Sequence, residues 1–201
     1  MDKINKIIDK TDLIRCFQKQ KIMPGRKLFN NSHNLPAAVL VPIIEEPNEL
    51  LVLFTQRNLQ LKNHAGQISF PGGKMEAVDK NLQETALREC FEEVGLTVDQ
   101  TQVIGQLPTL ESSTGFLVTP FIGVITPPLE LKIDPLEVEE IFTVPLSYLL
   151  DIHNHHHELF TFAGKQIPIT VINYQEHRIW GLTAKIIVEL ALILLKNLPK
   201  K

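Results

Sequence analysis

The chain has 201 residues, a mass of 22.8 kDa and a formal net charge of −3. With 44% hydrophobic and 21% charged residues it is long and apolar enough for one folded domain with a sizeable core, not a disordered segment. The small negative charge and the absence of a long basic run argue against a broad cationic face for nucleic acid. Two cysteines, Cys16 and Cys90, argue against a disulfide framework.

Residues 2–22 are expected to form an amphipathic helix, broken near Thr11-Asp12. Ile4, Ile7, Ile8, Ile14 and Phe17 recur there at helical spacing. Asp2, Asp9 and Asp12 and the lack of an apolar run argue against a secretory leader, so a cytoplasmic protein is expected. An asparagine-rich stretch from Pro24 to Pro36 reads as a connector. Residues 1–34 are thus expected to be a helix and connector packed on a domain spanning 35–201. Ala37–Ile44 and Leu50–Gln56 read as paired strands around a turn at Glu46-Pro47-Asn48.

A polar loop follows, from Arg57 through Lys62, His64, Gly66 and Gln67 to the strand-like Ile68-Ser69-Phe70 and then Gly72-Gly73. Glycines at Gly72 and Gly73 let backbone approach a ligand closely. Next comes a helix over Leu82–Val94. Asn81 is expected to cap it, with Glu84 completing a capping box and Gly95 in the left-handed position that ends it. On a helical wheel at roughly 100° per residue with Leu82 at zero, Ala86, Cys90, Val94, Leu87 and Phe91 fill an arc from about 40° to about 180°. Glu89, Glu92 and Glu93 fall at about 340°, 280° and 20°, bordering that arc. Three carboxylates so placed repel one another and lose hydration. A hard divalent cation, Mg²⁺ or Mn²⁺, relieves both, because such ions take carboxylate oxygens and substrate phosphates. The competing reading is a solvated acidic face with Arg88 paired to Glu92 or Glu84.

Thr101–Leu110 and Gly115–Ile125 read as further strands joined by a turn at Ser112–Gly115. In DPLEVEEIFTVPLSYLL, Glu137, Glu139 and Glu140 can supply one more carboxylate, or be a charged helix start; Leu146–Leu150 suits a helical turn. The run from His153 to His157 is expected to be an exposed loop, since near-consecutive residues cannot all turn to one ion from one regular element. Glu158–Phe162 and Ile167–Tyr174 read as a hairpin around Gly164-Lys165, and a last helix is expected from Ile179 to about Leu195. Its apolar run, Ile186–Leu195, contains Glu189 and is too short to span a bilayer, so no membrane partner is expected.

Arg88, Glu89, Cys90, Glu92, Glu93, Gly95 and Leu96 match the second half of the Nudix box, G-x5-E-x7-R-E-U-x-E-E-x-G-U with U apolar. The chain resembles the Nudix hydrolase family in this stretch. Its first half departs: fourteen residues separate Gly73 from Arg88, one more than usual, and Asp79 stands where the first glutamate is expected. That departure resembles the coenzyme A diphosphatase branch. So does the upstream stretch, where Leu53, Thr55, Arg57, Gly66, Phe70, Pro71, Gly72 and Gly73 match L-L-T-x-R-[SA]-x3-R-x3-G-x3-F-P-G-G, with Phe54, Asn58 and Lys62 as substitutions.

The resemblance implies a mixed-sheet α/β/α sandwich. It implies metal-assisted hydrolysis of the diphosphate of coenzyme A or an acyl derivative, giving 4′-phosphopantetheine (or its acyl form) and adenosine 3′,5′-bisphosphate. Glu89, Glu92 and Glu93 are the expected metal ligands, Arg88 orients them, and Glu92 or Glu137 takes the water's proton. Arg57, Lys62 and His64, with Gly66, Gly72 and Gly73, are the expected substrate contacts. Alternatives are another nucleoside diphosphate derivative, such as NADH or ADP-ribose, and a Nudix-like binding module without turnover. Monomer and homodimer both stay open.

Overall fold

The structure, a computed structural model, describes residues 8–18, 35–61, 64–162 and 164–197. Its main sheet is built around β1 (Leu35–Glu45), whose run of apolar residues is buried on both faces. β1 runs parallel to β7 (Phe116–Ile125) along its length. Its other edge is shared by two antiparallel strands: β2 (Leu50–Arg57) pairs with Ile43–Glu45, and β4 (Gly72–Lys74) pairs with Ala37–Val39. β3 (Ile68–Ser69) and β8 (Val138–Pro145) pair with β2, while β5 (Thr101–Gln106) and β6 (Leu110–Glu111) pair with β7.

Side chains alternate between the sheet's two faces. Leu40, Ile44 and Leu53 pack with Ala86, Cys90 and Val94 of α2 (Leu82–Val94). Val41, Ile43, Val52 and Phe54 pack on the opposite side with Leu13 and Phe17 of α1 (Lys10–Gln18), α3 (Leu146–Leu150) and Ile187, Leu190 and Leu194 of α4 (Gly181–Asn197). The result is the expected α/β/α sandwich with a mixed sheet. A second, antiparallel sheet joins β9 (His155–Phe162), β10 (Lys165–Tyr174) and β11 (His177–Trp180). It is docked by a row of rings: Phe70 on Phe54 (4.8 Å between centroids), Phe54 on Phe142 (5.5 Å), and Phe142 on His177 (3.6 Å, 7° between planes).

Several expectations are corrected. Among the described residues the first helix is short and continuous, Lys10–Gln18, and Asp12 lies within its first turn, where an acid suits the helix dipole. Residues 2–7 and 19–34 of the expected helix and connector lie outside the described residues. Glu139 and Glu140 are in β8, not at a helix start, because the segment pairs with β2 and buries Val138 and Val144. The histidine run is a 3-10 turn followed by a strand, not a loop; cross-strand pairing to β10 extends the hairpin back to His155. Ile179 and Trp180 belong to β11, and the last helix starts only at Gly181, whose φ of 66° breaks strand from helix.

Candidate active site

α2 sets the geometry. The Asn81 carboxamide oxygen accepts from the Glu84 amide at 3.0 Å, and Gly95, at φ 78°, donates its amide to the Phe91 carbonyl at 2.9 Å. Only half of the capping box forms. Glu84 Oε2 accepts from the Lys80 amide (3.0 Å), one residue before the cap.

The buried face of the helix differs from the apolar arc of its sequence. Thr85, Ala86, Cys90, Glu93 and Val94 are buried, whereas Phe91 is 54% exposed. On the wheel these residues run from about 300° through zero to about 120°, so the face that meets the sheet is rotated by roughly 80° toward the acids. The rotation places Glu93, only 4% exposed, against the backbone of β4. There its carboxylate accepts a hydrogen bond from the Gly72 amide and lies near Arg57. Burial, with the nearby Glu137 and Glu89 carboxylates, pushes the Glu93 pKa up to about 8. The Glu89 pKa is raised as well, first by burial and then by Glu92 and Glu137, against the pull of Arg88. Gly73 exists to make room for it: a Cβ there would lie 2.5 Å from the Glu89 carboxylate.

Arg88 organises these acids. Its Nε and Nη2 donate to Asp79 Oδ1 and Oδ2 at 2.9 and 3.0 Å, its Nη1 meets Glu89 Oε1 and Glu92 Oε2 at 2.9 Å each, and Nη2 also reaches the Lys74 carbonyl at 3.3 Å. Asp79 receives further bonds from the Thr85 hydroxyl (3.0 Å) and the Glu76 amide (2.9 Å). The Arg88 guanidinium holds the Asp79 carboxyl far below the usual carboxylate range, and Asp79 in turn raises the Arg88 pKa.

Glu137, Arg57, Glu89, Glu93, Gly72 and Gly73 are brought together at this end of the sheet. The Glu137 carbonyl accepts from the Asn58 amide at 2.9 Å, which ties the start of β8 to the end of β2. Arg57 ends β2, and its Nε is buried without a hydrogen-bond partner. Glu92 stands apart, with its side chain 54% exposed and turned to Arg88. Glu139 is exposed, and Glu140 lies across the sheet at 3.4 Å from His177, so Glu137 alone of that trio faces the helix acids. His64 and Gly66 sit in the loop after β2, with His64 exposed; Lys62 lies outside the described residues. Asp79 as the partner of Arg88, and Thr85 as a donor to Asp79, are the supporting contacts that pattern reading missed. Their signal was only Asp79's place in the box.

The donor set suits a hard divalent ion. It offers carboxylate oxygens, one of them buried and short of neutralising partners, which is the arrangement a cation stabilises. Among the described residues no three metal-binding side chains already converge on one point, since Glu89 and Glu92 are engaged by Arg88.

Comparison with known proteins gives the class. A family model described as the NUDIX domain matches residues 34–163. A protein of Photorhabdus laumondii subsp. laumondii named "Uncharacterized Nudix hydrolase NudL" is 44% identical over 185 residues, covering 92% of this chain and 97% of that protein. A relative of the same name from Klebsiella pneumoniae subsp. pneumoniae is 40% identical over 181 residues, covering 90% of this chain and 92% of its own. Among solved structures, a MutT/nudix family protein from Enterococcus faecalis shares the fold, with a TM-score of 0.52 at 14% identity over 92% of this chain and 74% of that one. The chain belongs to the Nudix family. Its class is that of hydrolases acting on phosphoanhydride bonds, generally with divalent metal ions.

Proposed function

We propose that this Nudix hydrolase cleaves the diphosphate of coenzyme A or an acyl-coenzyme A, with residues 35–201 as the hydrolase domain and the N-terminal helix packed on it. The observation that carries the reading is Arg57. Its buried, unpartnered Nε stands beside the Glu93 carboxylate, at the mouth of the loop whose sequence resembles the coenzyme A branch. A half-buried guanidinium near an acidic helix, with a donor that no protein group satisfies, suits a diphosphate. His64 and Lys62, on the same loop, are the further candidates for the substrate's phosphates, and Gly66 gives the loop its turn at φ 69°.

Glu89 and Glu93, with Glu92, are the residues that would hold Mg²⁺ or Mn²⁺. When bound, the ion offsets diphosphate charge and lowers the pKa of a coordinated water. The chain's own part is positioning and proton transfer. Arg88 fixes Glu89 and Glu92 and is itself fixed by Asp79. Glu137, free of Arg88 and facing Glu93, takes the proton of the attacking water; Glu92 is less suited because Arg88 neutralises it. Water adds across one P–O–P linkage, giving 4′-phosphopantetheine or its acyl form and adenosine 3′,5′-bisphosphate. Among the described residues no helix is long and apolar enough to cross a membrane, and we place the reaction in the cytoplasm.

Incubation of the full chain with Mg²⁺ and coenzyme A, read by product chromatography, tests the proposal. Release of both named products supports it. Faster cleavage of NADH or ADP-ribose would assign a different nucleoside diphosphate derivative, and no turnover of any of them would make the chain a binding module.

A further inference from the structure

The loop between β2 and β3 is closed at its base by two backbone bonds, Arg57 N to Gln67 O and Gly66 N to Arg57 O, each 3.0 Å. Inside it, the Gln67 amide donates to the His64 carbonyl at 3.1 Å, closing a tight turn. His64 takes φ 58°, a left-handed conformation that a residue with a Cβ ordinarily avoids. Gln67, which closes the turn through its amide, also meets the ring: His64 Nδ1 and Gln67 Oε1 are 2.8 Å apart. His64 is an exposed residue.

We propose that Gln67 is a positioning residue that presents Nε2 of His64 to a phosphate of the substrate. A carboxamide oxygen accepts a hydrogen bond, so Nδ1 carries the proton and Nε2 is left for the ligand. The contact persists when the ring takes a second proton, because Nδ1–H donates in both states. The imidazolium that an anionic phosphate favours then forms without loss of the bond to Gln67. Gln67 also removes the ring's rotational freedom before substrate arrives. The inference rests on the reading of His64 as a phosphate contact.

Two measurements on the full-length protein test it. The first needs no substrate: nitrogen-15 NMR of the His64 ring, assigned by loss of its signals in His64→Gln. The Nδ1–H tautomer is expected in the wild type, with a shift toward Nε2–H, the form an imidazole prefers in water, in Gln67→Ala. The second is kinetic. Gln67→Ala is expected to raise KM for coenzyme A roughly three- to tenfold, the worth of one hydrogen bond, with kcat unchanged. In a His64→Ala background the same substitution is expected to add nothing. A wild-type Nε2–H tautomer, a tautomer unchanged in Gln67→Ala, or an equal KM effect with and without His64 overturns the proposal. If coenzyme A is not turned over, the assignment of substrate fails, and the tautomer measurement alone decides the role of Gln67.

Discussion

Asp79 and Arg88 grip each other by two hydrogen bonds, 2.9 and 3.0 Å long, and the remaining guanidinium nitrogen reaches Glu89 and Glu92. One residue therefore links the loop before the helix to two of its acids. The Asp79 side chain is 3% exposed and the Arg88 side chain 20%, so this is a shielded pair and not a surface ion pair. Removing one partner strands the other. Arg88→Ala is expected to destabilise the protein by about 3 kcal/mol or more, measured by urea unfolding. Arg88→Lys keeps the charge but loses the fork, and should recover only part of that loss. A substitution within 0.5 kcal/mol of wild type, inside the usual range for a surface change, would contradict the bracket.

Glu93→Gln is expected to abolish turnover while leaving the fold intact. The carboxamide oxygen can still accept from the Gly72 amide, so the packing against β4 survives. Circular dichroism should match wild type, and Mg²⁺ should no longer raise the melting temperature. Near-normal turnover would refute the metal role.

The raised Glu93 pKa gives a pH signature in the chelated protein. Between the ordinary value of 4.5 and about 8, the folded state holds a proton that the unfolded chain releases. The stability this confers is complete below 4.5 and is lost as pH rises through about 8. Thermal melts in EDTA should therefore show a fall over that window, on the order of a few kcal/mol in total, that is much smaller in Glu93→Gln. Adding Mg²⁺ at pH 8 should restore what was lost.

Gly73→Ala separates activity from stability. The added methyl would meet the end of the Glu89 side chain, which can swing away, so melting should change by only a few degrees. The displaced carboxylate should cost at least tenfold in kcat/KM. Wild-type kinetics from this variant would show that the position of Glu89 is not critical.

Glu137 and Glu92 are distinguished by their neighbours. Glu137→Gln should lower kcat by about 10²- to 10⁴-fold. Glu92→Gln should cost less, because Arg88 already neutralises that carboxylate. The reverse order would exchange their roles.

The ends of α2 and the strands β1, β2 and β7 were legible in the sequence because they depend on local chemistry: a capping asparagine, a left-handed glycine, short apolar runs bounded by turns; the sandwich was legible only through the resemblance to the Nudix family. The rotation of α2 was not. Apolarity alone puts Phe91 inside and Glu93 at the margin, and only the close approach of β4, with Gly72 and Gly73 under the helix, turns the acids inward. Likewise the acids of β8 could not be told apart in the sequence. Strand pairing sends Glu140 to His177 and leaves Glu137 at the strand's edge, facing Glu93. The box residues, Asp79 among them, were found by spacing, but that Asp79 grips Arg88 and accepts from Thr85 is set by loop geometry that no short pattern encodes.

β1 lends one edge first to β4 and then to β2, so the segment from Asn58 to Phe70 leaves and rejoins the sheet at clamped points. Arg57, Gly66 and Gln67 tie the base of that segment to itself, and Asn58 ties it to Glu137 and Pro135 ahead of β8. A change of sequence beyond those ties should therefore alter what the loop recognises more than how the acids of α2 are held.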